Sequence, residues 1–153
     1  VMSAIADGRY EQVGTFNGNP LAMAATRATL TEVLTPESYA HLDELATRLR
    51  TALEATIARH GFGWHVVTAG AKGCVTFRSE PVREFRDFLK IDARLGHLHW
   101  LVQHNGGVFL PPWGKVEQWL LSVQHNSDDV DRFAANFARF AKALSRLPAE
   151  SAS

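Results

Sequence analysis

The sequence predicts an α+β fold of two layers, with helices packed on one face of a mainly antiparallel sheet. Apolar residues recur at helical spacing in the first and last thirds of the chain. Between them lie short β-branched and aromatic runs broken by glycine- and proline-bearing turns. Size agrees, since 153 residues, 46% of them hydrophobic, suffice for one respectable core.

The elements follow in order. A helical remnant opens the chain and leads into a polar turn, Gly14 to Asn19, whose glycines permit a tight backbone. Asn19 suits an N-cap and Pro20 the first helical position, where its missing N–H costs nothing. The helix that starts there is expected to reach about Leu34, with Leu21, Met23, Leu30, Val33 and Leu34 among small alanines. Thr35-Pro36-Glu37 restarts the chain as cap and N1 proline. Leu42, Leu45, Leu49, Leu53 and Ile57 then form an apolar stripe of 3.6-residue period that ends at Gly61.

Trp64 to Val67 and Cys74 to Arg78 read as two strands joined by a turn that holds Gly70 and Gly73. Short helices follow at Phe85 to Lys90 and around Leu95, Leu98, Leu101 and Val102, the second stopped by Asn105-Gly106-Gly107. Val108 to Leu110 and Trp119 to Val123 read as two more strands, separated by Pro111-Pro112-Trp113-Gly114. Ser127 then caps a last helix. Asp128, Asp129 and Asp131 sit near its positive dipole end, and Phe133, Phe137, Phe140 and Leu144 share one face. Pro148 to Ser153 reads as a disordered tail.

Charge and composition exclude several classes. The 16 basic and 16 acidic residues cancel, and no basic stripe points to nucleic acid. A lone cysteine, Cys74, rules out an internal disulfide and fits a reducing compartment. No apolar run approaches membrane-spanning length and no signal peptide is visible at the start. A cytoplasmic protein without membrane or nucleic-acid partner is the expectation.

Four constellations invite chemistry. The Gly14 to Pro20 helix start offers backbone N–H groups, a positive dipole end and the Thr15 hydroxyl, which together suit a phosphate, although such a start is usually only structural. His97, His99 and His104 lie close in sequence. Residues two apart point to different helix faces, however, and no carboxylate completes a metal-ligand spacing, so no metal site is expected. Ser122, His125 and Asp128 make a hydrolase on paper, but no nucleophile elbow surrounds Ser122. The lysines Lys72, Lys90, Lys115 and Lys142 read as solvated charges, with Lys72 and Lys115 placed in glycine-containing turns.

Read together, three segments carry a resemblance. They are Gly14-Thr15-Phe16-Asn17-Gly18-Asn19-Pro20-Leu21-Ala22-Met23-Ala24-Ala25, the run Tyr39 to Leu49, and the C-terminal series Gly107 to Pro112, Val116 to Asn126 and Ser127 to Asp131. Their order and rough spacing resemble the C-terminal portion of the class III pyridoxal-phosphate aminotransferases, most closely the glutamate-1-semialdehyde aminomutase-like branch. The resemblance covers Val1 to about Leu144, only the last part of the family's longer sequence.

That resemblance implies a fold-type I transferase. Residues 1–34 would end the large cofactor-binding domain and form the interdomain helix, 35–147 would form the C-terminal small domain, and 148–153 a tail. It also implies pyridoxal 5'-phosphate as cofactor and a homodimer with shared active sites. The family's Schiff-base lysine, its pyridine-nitrogen carboxylate and its stacking aromatic all lie upstream of the Gly-Thr segment. No catalytic residue is therefore assigned to this chain, which alone should not transaminate. A missing N-terminal cofactor-binding part is the implied partner.

By the same resemblance Gly14 and Thr15 reach across the dimer to the cofactor phosphate of the other subunit. Glu117 lies near the substrate end of the pocket, where it orients a substrate amine or a mobile loop. A solvated charge before a strand remains the alternative for Glu117. The loop from Pro111 to Val116 is slightly longer than the aminomutase pattern and carries Trp113, and Gln124-His125-Asn126 replaces Ala-His-Thr. These departures put strict aminomutase specificity in doubt, so an ω-amino-acid or amine transaminase of the same branch stands beside it. A truncated, non-catalytic module that serves only dimer or domain association is the competing function.

Overall fold

The computed structural model describes residues 2–11, 13–111 and 114–147. Contacts divide the chain into two compact units, one ending at Glu37 and the other beginning at Ser38. The 148–153 tail and the expected feature at Trp113 lie outside the described residues.

The first unit holds α1 (Met2–Ala6), the polar turn and α2 (Pro20–Ala28), followed by a π-helical turn, Thr29–Val33. The expected helix from Pro20 to Leu34 is present, but its last turn widens. Thr26, Thr29 and Thr31 each donate a hydroxyl hydrogen bond back to the carbonyl four residues earlier, at 2.8, 2.9 and 2.9 Å. Hydroxyls that occupy those carbonyls compete with the helical ladder, and the Leu34 amide bonds instead to Thr29 O, five residues back. No residue of this helix is buried. Leu21 is 81% and Leu30 62% exposed, so its apolar side finds no cover within the unit.

α3 (Pro36–His60) starts at the anticipated proline and, in the second unit, buries Leu45, Leu49, Leu53 and Ile57. β1 (His65–Ala69) and β2 (Lys72–Thr76) form an antiparallel hairpin across Gly70-Ala71, with Gly70 in the left-handed region the tight turn requires. Next come α4 (Phe85–Leu89), α5 (Ala93–Asn105), β3 (Gln118–Leu120) and α6 (Ser127–Leu144). The sheet order is β1-β2-β3, with both pairings antiparallel.

Three expectations need correction. Val108–Leu110 is not a strand: α5 ends in a turn in which Val108 N–H bonds back to Gln103 O, and Leu110 enters the core while Phe109 is 87% exposed. Among the described residues the sheet thus has three strands, not four. The strand from Trp119 to Val123 shortens to Gln118–Leu120, because the Ser122 amide leaves the ladder for the His125 ring. Gly73 also lies within β2, not in the turn. It pairs with Trp119, and a side chain there would run into the indole.

One face of the sheet carries Val75, Phe77 and Trp119 against α3 and the Val130, Phe133, Phe137 and Phe140 stripe of α6. The opposite face leaves Val67 and Leu120 exposed. Period-2 alternation on the strands and 3.6-residue spacing on the helices meet in one core, the two-layer arrangement foreseen. At the start of α6, Asn126 takes the cap in place of Ser127. Its side chain accepts from the Asp128 and Asp129 amides while Asp129 reaches back to the Asn126 N–H.

Candidate functional site

The expected site residues lie in different units, Gly14 and Thr15 in the first and Glu117 in the second. Two successive turns shape the first, with Asn17 N–H bonded to Gly14 O and Asn19 N–H to Phe16 O. The Asn17 amide folds against Gly14 so closely that a Cβ there would meet it at 2.7 Å. Asn19 then caps α2, accepting from Leu21 N–H at 2.9 Å and Ala22 N–H at 3.3 Å. Those two amides of the helix end are thus satisfied by the helix's own cap. What the turn does present is Thr15, exposed, its hydroxyl bonded to no other described residue, beside Val13 and Phe16 at 81% and 80% exposure.

Glu117 is not a solvated charge. It is 3% exposed, and its carboxylate accepts a hydrogen bond from the Gly114 amide. Burial pushes its pKa above the ordinary carboxylate value, opposed by that amide and by the nearby His97 and His104. Those histidines flank Trp100 on one face of α5. The Trp100 ring lies 6.1 Å from His97 and 3.9 Å from His104, His104 lies 4.8 Å from Phe109, and the indole N–H donates to Pro111 O at 2.7 Å. Lys115 corrects a second expectation, because its ammonium donates to Leu89 O at 2.9 Å and Ile91 O at 2.7 Å. Lys72 opens β2 and, like Lys90 and Lys142, is exposed.

The remaining histidines make contacts within the fold, and no cluster of metal-binding side chains occurs among the described residues. His99 faces the core and His97 a different side of α5. His65 donates to Ser79 O and His41 to His125 O, both at 2.8 Å. The hydrolase on paper dissolves as well. His125 Nδ1 lies 2.9 Å from Ser122 Oγ, but the Ser122 backbone N–H also donates to it at 2.9 Å, so its lone pair staples a turn. Burial raises the Cys74 thiol pKa, the opposite of what a nucleophile needs.

Sequence reasoning missed a buried polar chain. Gln103 Nε2 donates to Phe133 O and lies 3.1 Å from His99 Nε2, Asn136 Nδ2 donates to Gln103 Oε1, and Arg139 donates to Asn136 Oδ1 at 2.6 Å. The spacing His99, Gln103 on α5 was its only signal. A cleft of about 460 Å³ also opens between the Gly107–Pro111 segment, β3 and α6, with His125 and Arg132 on its wall.

No family model matches the chain. Over 148 residues it is 35% identical to glutamate-1-semialdehyde 2,1-aminomutase 1 of Staphylococcus epidermidis, covering 96% of this chain and 34% of that protein. The fold matches the β-phenylalanine aminotransferase of Variovorax paradoxus with a TM-score of 0.81 at 30% identity, over 96% of this chain and 35% of that one. In both sequence and fold the chain thus resembles the aminomutase-like class III aminotransferases. A glutamate-1-semialdehyde aminomutase variant of Pseudomonas aeruginosa, solved in complex with PMP, matches with a TM-score of 0.77 at 26% identity over 88% of this chain and 31% of that one. The chain spans about a third of the length of the curated relatives it matches. No described helix is long and apolar enough to cross a membrane.

Proposed function

We propose that this chain is the C-terminal part of a cytoplasmic, pyridoxal-phosphate-dependent aminotransferase or aminomutase that moves an amino group between an amine or amino acid and a carbonyl compound. The observation that carries the reading is the match of nearly the whole chain, in sequence and fold, to about a third of such enzymes. Residues 1–34 then close the large domain and 35–147 form the small one. The lysine that carries the cofactor comes from the N-terminal part, and this chain alone is inactive.

The first-unit turn fits the cofactor's phosphate. Thr15 offers an exposed hydroxyl and a loop amide, while the exposed Val13, Phe16 and Leu21 around it are suited to burial against another subunit of a homodimer. The cofactor, when bound, supplies the electron sink for amino-group transfer. Thr15 holds its phosphate, and Glu117 accepts a hydrogen bond at the substrate end, where its buried carboxylate favours an amine.

The test replaces the matching third of the Variovorax β-phenylalanine aminotransferase with this chain. A folded chimera is expected to bind pyridoxal phosphate and transaminate, whereas the 153-residue chain by itself does neither. Thr15→Val in the chimera is expected to weaken cofactor binding about 10- to 100-fold, the equivalent of one charge-assisted hydrogen bond. A folded chimera that takes up no cofactor refutes the enzyme and leaves a module that only associates.

A further inference from the structure

The loop that leads to Glu117 is held at three points by α4 and α5. Upstream, Pro111 O accepts the Trp100 indole N–H at 2.7 Å. In the middle, Gly96 lets α5 approach the loop backbone so closely that a Cβ there would lie 2.8 Å from Gly114 O and 2.9 Å from Lys115 O. Downstream, Lys115 reaches the Leu89 and Ile91 carbonyls, which terminate α4 and enter the α4–α5 connection. An ammonium is well placed there, because helix-terminal carbonyls carry negative partial charge and Asp92 adds a full one nearby. The clamp ends on a single functional group: the Gly114 amide that it holds is the donor to the Glu117 carboxylate.

We propose that Lys115 and Gly96 are positioning residues that clamp the Gly114–Glu117 loop to the α4–α5 connection and so set the Glu117 carboxylate, and with it the choice of amino substrate. The substrate half of this inference rests on the proposed aminotransferase function; the clamp does not. Without the ammonium, the Leu89 and Ile91 carbonyls lose a shared donor and the loop loses its downstream anchor. Glu117 then gains water. Its burial raises its pKa, whereas the Gly114 amide and the two histidines that face it from α5, His97 and His104, lower it. Release of the loop removes the burial, and the carboxyl group returns toward its ordinary range.

The clamp is tested in the intact chain by NMR, following Glu117 carboxyl titration and Gly114 amide exchange in wild type, Lys115→Met, Lys115→Arg and Gly96→Ala. Wild type and Lys115→Arg are expected to keep a raised Glu117 titration and a protected Gly114 amide. Lys115→Met and Gly96→Ala are expected to lower the titration and speed exchange about tenfold or more, with the α6 amides unchanged. Unaltered readouts in Lys115→Met overturn the clamp, as does an Arg variant that behaves like Met. In the aminotransferase chimera, Lys115→Met is expected to raise KM for the amino donor with kcat largely kept. An unchanged KM overturns the substrate role while the NMR result stands. A wild-type chimera without activity overturns the proposed function and the substrate role with it, leaving the clamp decided by NMR.

Discussion

Lowering the pH is expected to destabilise the second unit through one residue, His99. Its ring is 1% exposed and ringed by Phe77, Phe133, Phe137 and Phe140, with ring centroids 5.6 to 5.7 Å away. Gln103 presents an amide N–H to His99 Nε2, so that nitrogen is the acceptor and the neutral ring carries its proton on Nδ1. Protonation at Nε2 would set two donors against each other and bury a cation among phenyl rings. Burial accordingly lowers the His99 pKa from 6.5 to about 4. At 1.36 kcal/mol per pH unit, the gap from 6.5 to about 4 is worth about 3 kcal/mol. The folded protein binds this proton more weakly than the unfolded chain does. The stabilisation is therefore complete above the ordinary histidine pKa and is lost as the pH falls from 6.5 through about 4.

Urea denaturation of wild type and His99→Phe between pH 7.5 and about 3.5 isolates the effect, because every other titrating group is common to both. His99→Phe is expected to start less stable, since it strands the Gln103 N–H. Its stability then falls less steeply on acidification, and the difference between the two proteins shrinks by about 3 kcal/mol across the range. Parallel stability profiles would refute the reasoning and show that His99 is protonated in the folded protein or is not buried there.

Two further outcomes test the core. Phe137→Ala, at a residue 0% exposed, is expected to cost about 3–5 kcal/mol in chemical denaturation, through lost transfer energy and the cavity left behind. Gly73→Val is expected to cost about 1–3 kcal/mol by driving a side chain into the Trp119 ring and against the Val67 carbonyl of β1, with loss of amide protection on both sides of β2. A Gly73→Val protein as stable as wild type would show that Trp119 does not lie across β2.

The apolar stripe of α3, the proline that starts it, the phenylalanine face of α6 and the antiparallel hairpin were all legible in the sequence. Each is written as a period, 3.6 or 2, or as a turn residue whose effect is local. The Gly14 to Ala25 segment and the C-terminal series likewise carried the family by themselves. The lost fourth strand was not legible, because Val108–Leu110 has strand composition, and composition does not supply a ladder partner. Nor was the fate of single polar residues. Lys115 read as a surface charge, and Glu117 as either a substrate-end carboxylate or a solvated charge, until α4 and α5 brought carbonyls and histidines beside them. Gly73, assigned to a turn, lies under Trp119, 46 positions away by the strand register that pairs them. Periodicity and capping act between near neighbours and so can be read along the chain. Burial, pKa and close backbone approach depend on what packs alongside, and only the tertiary structure decides them.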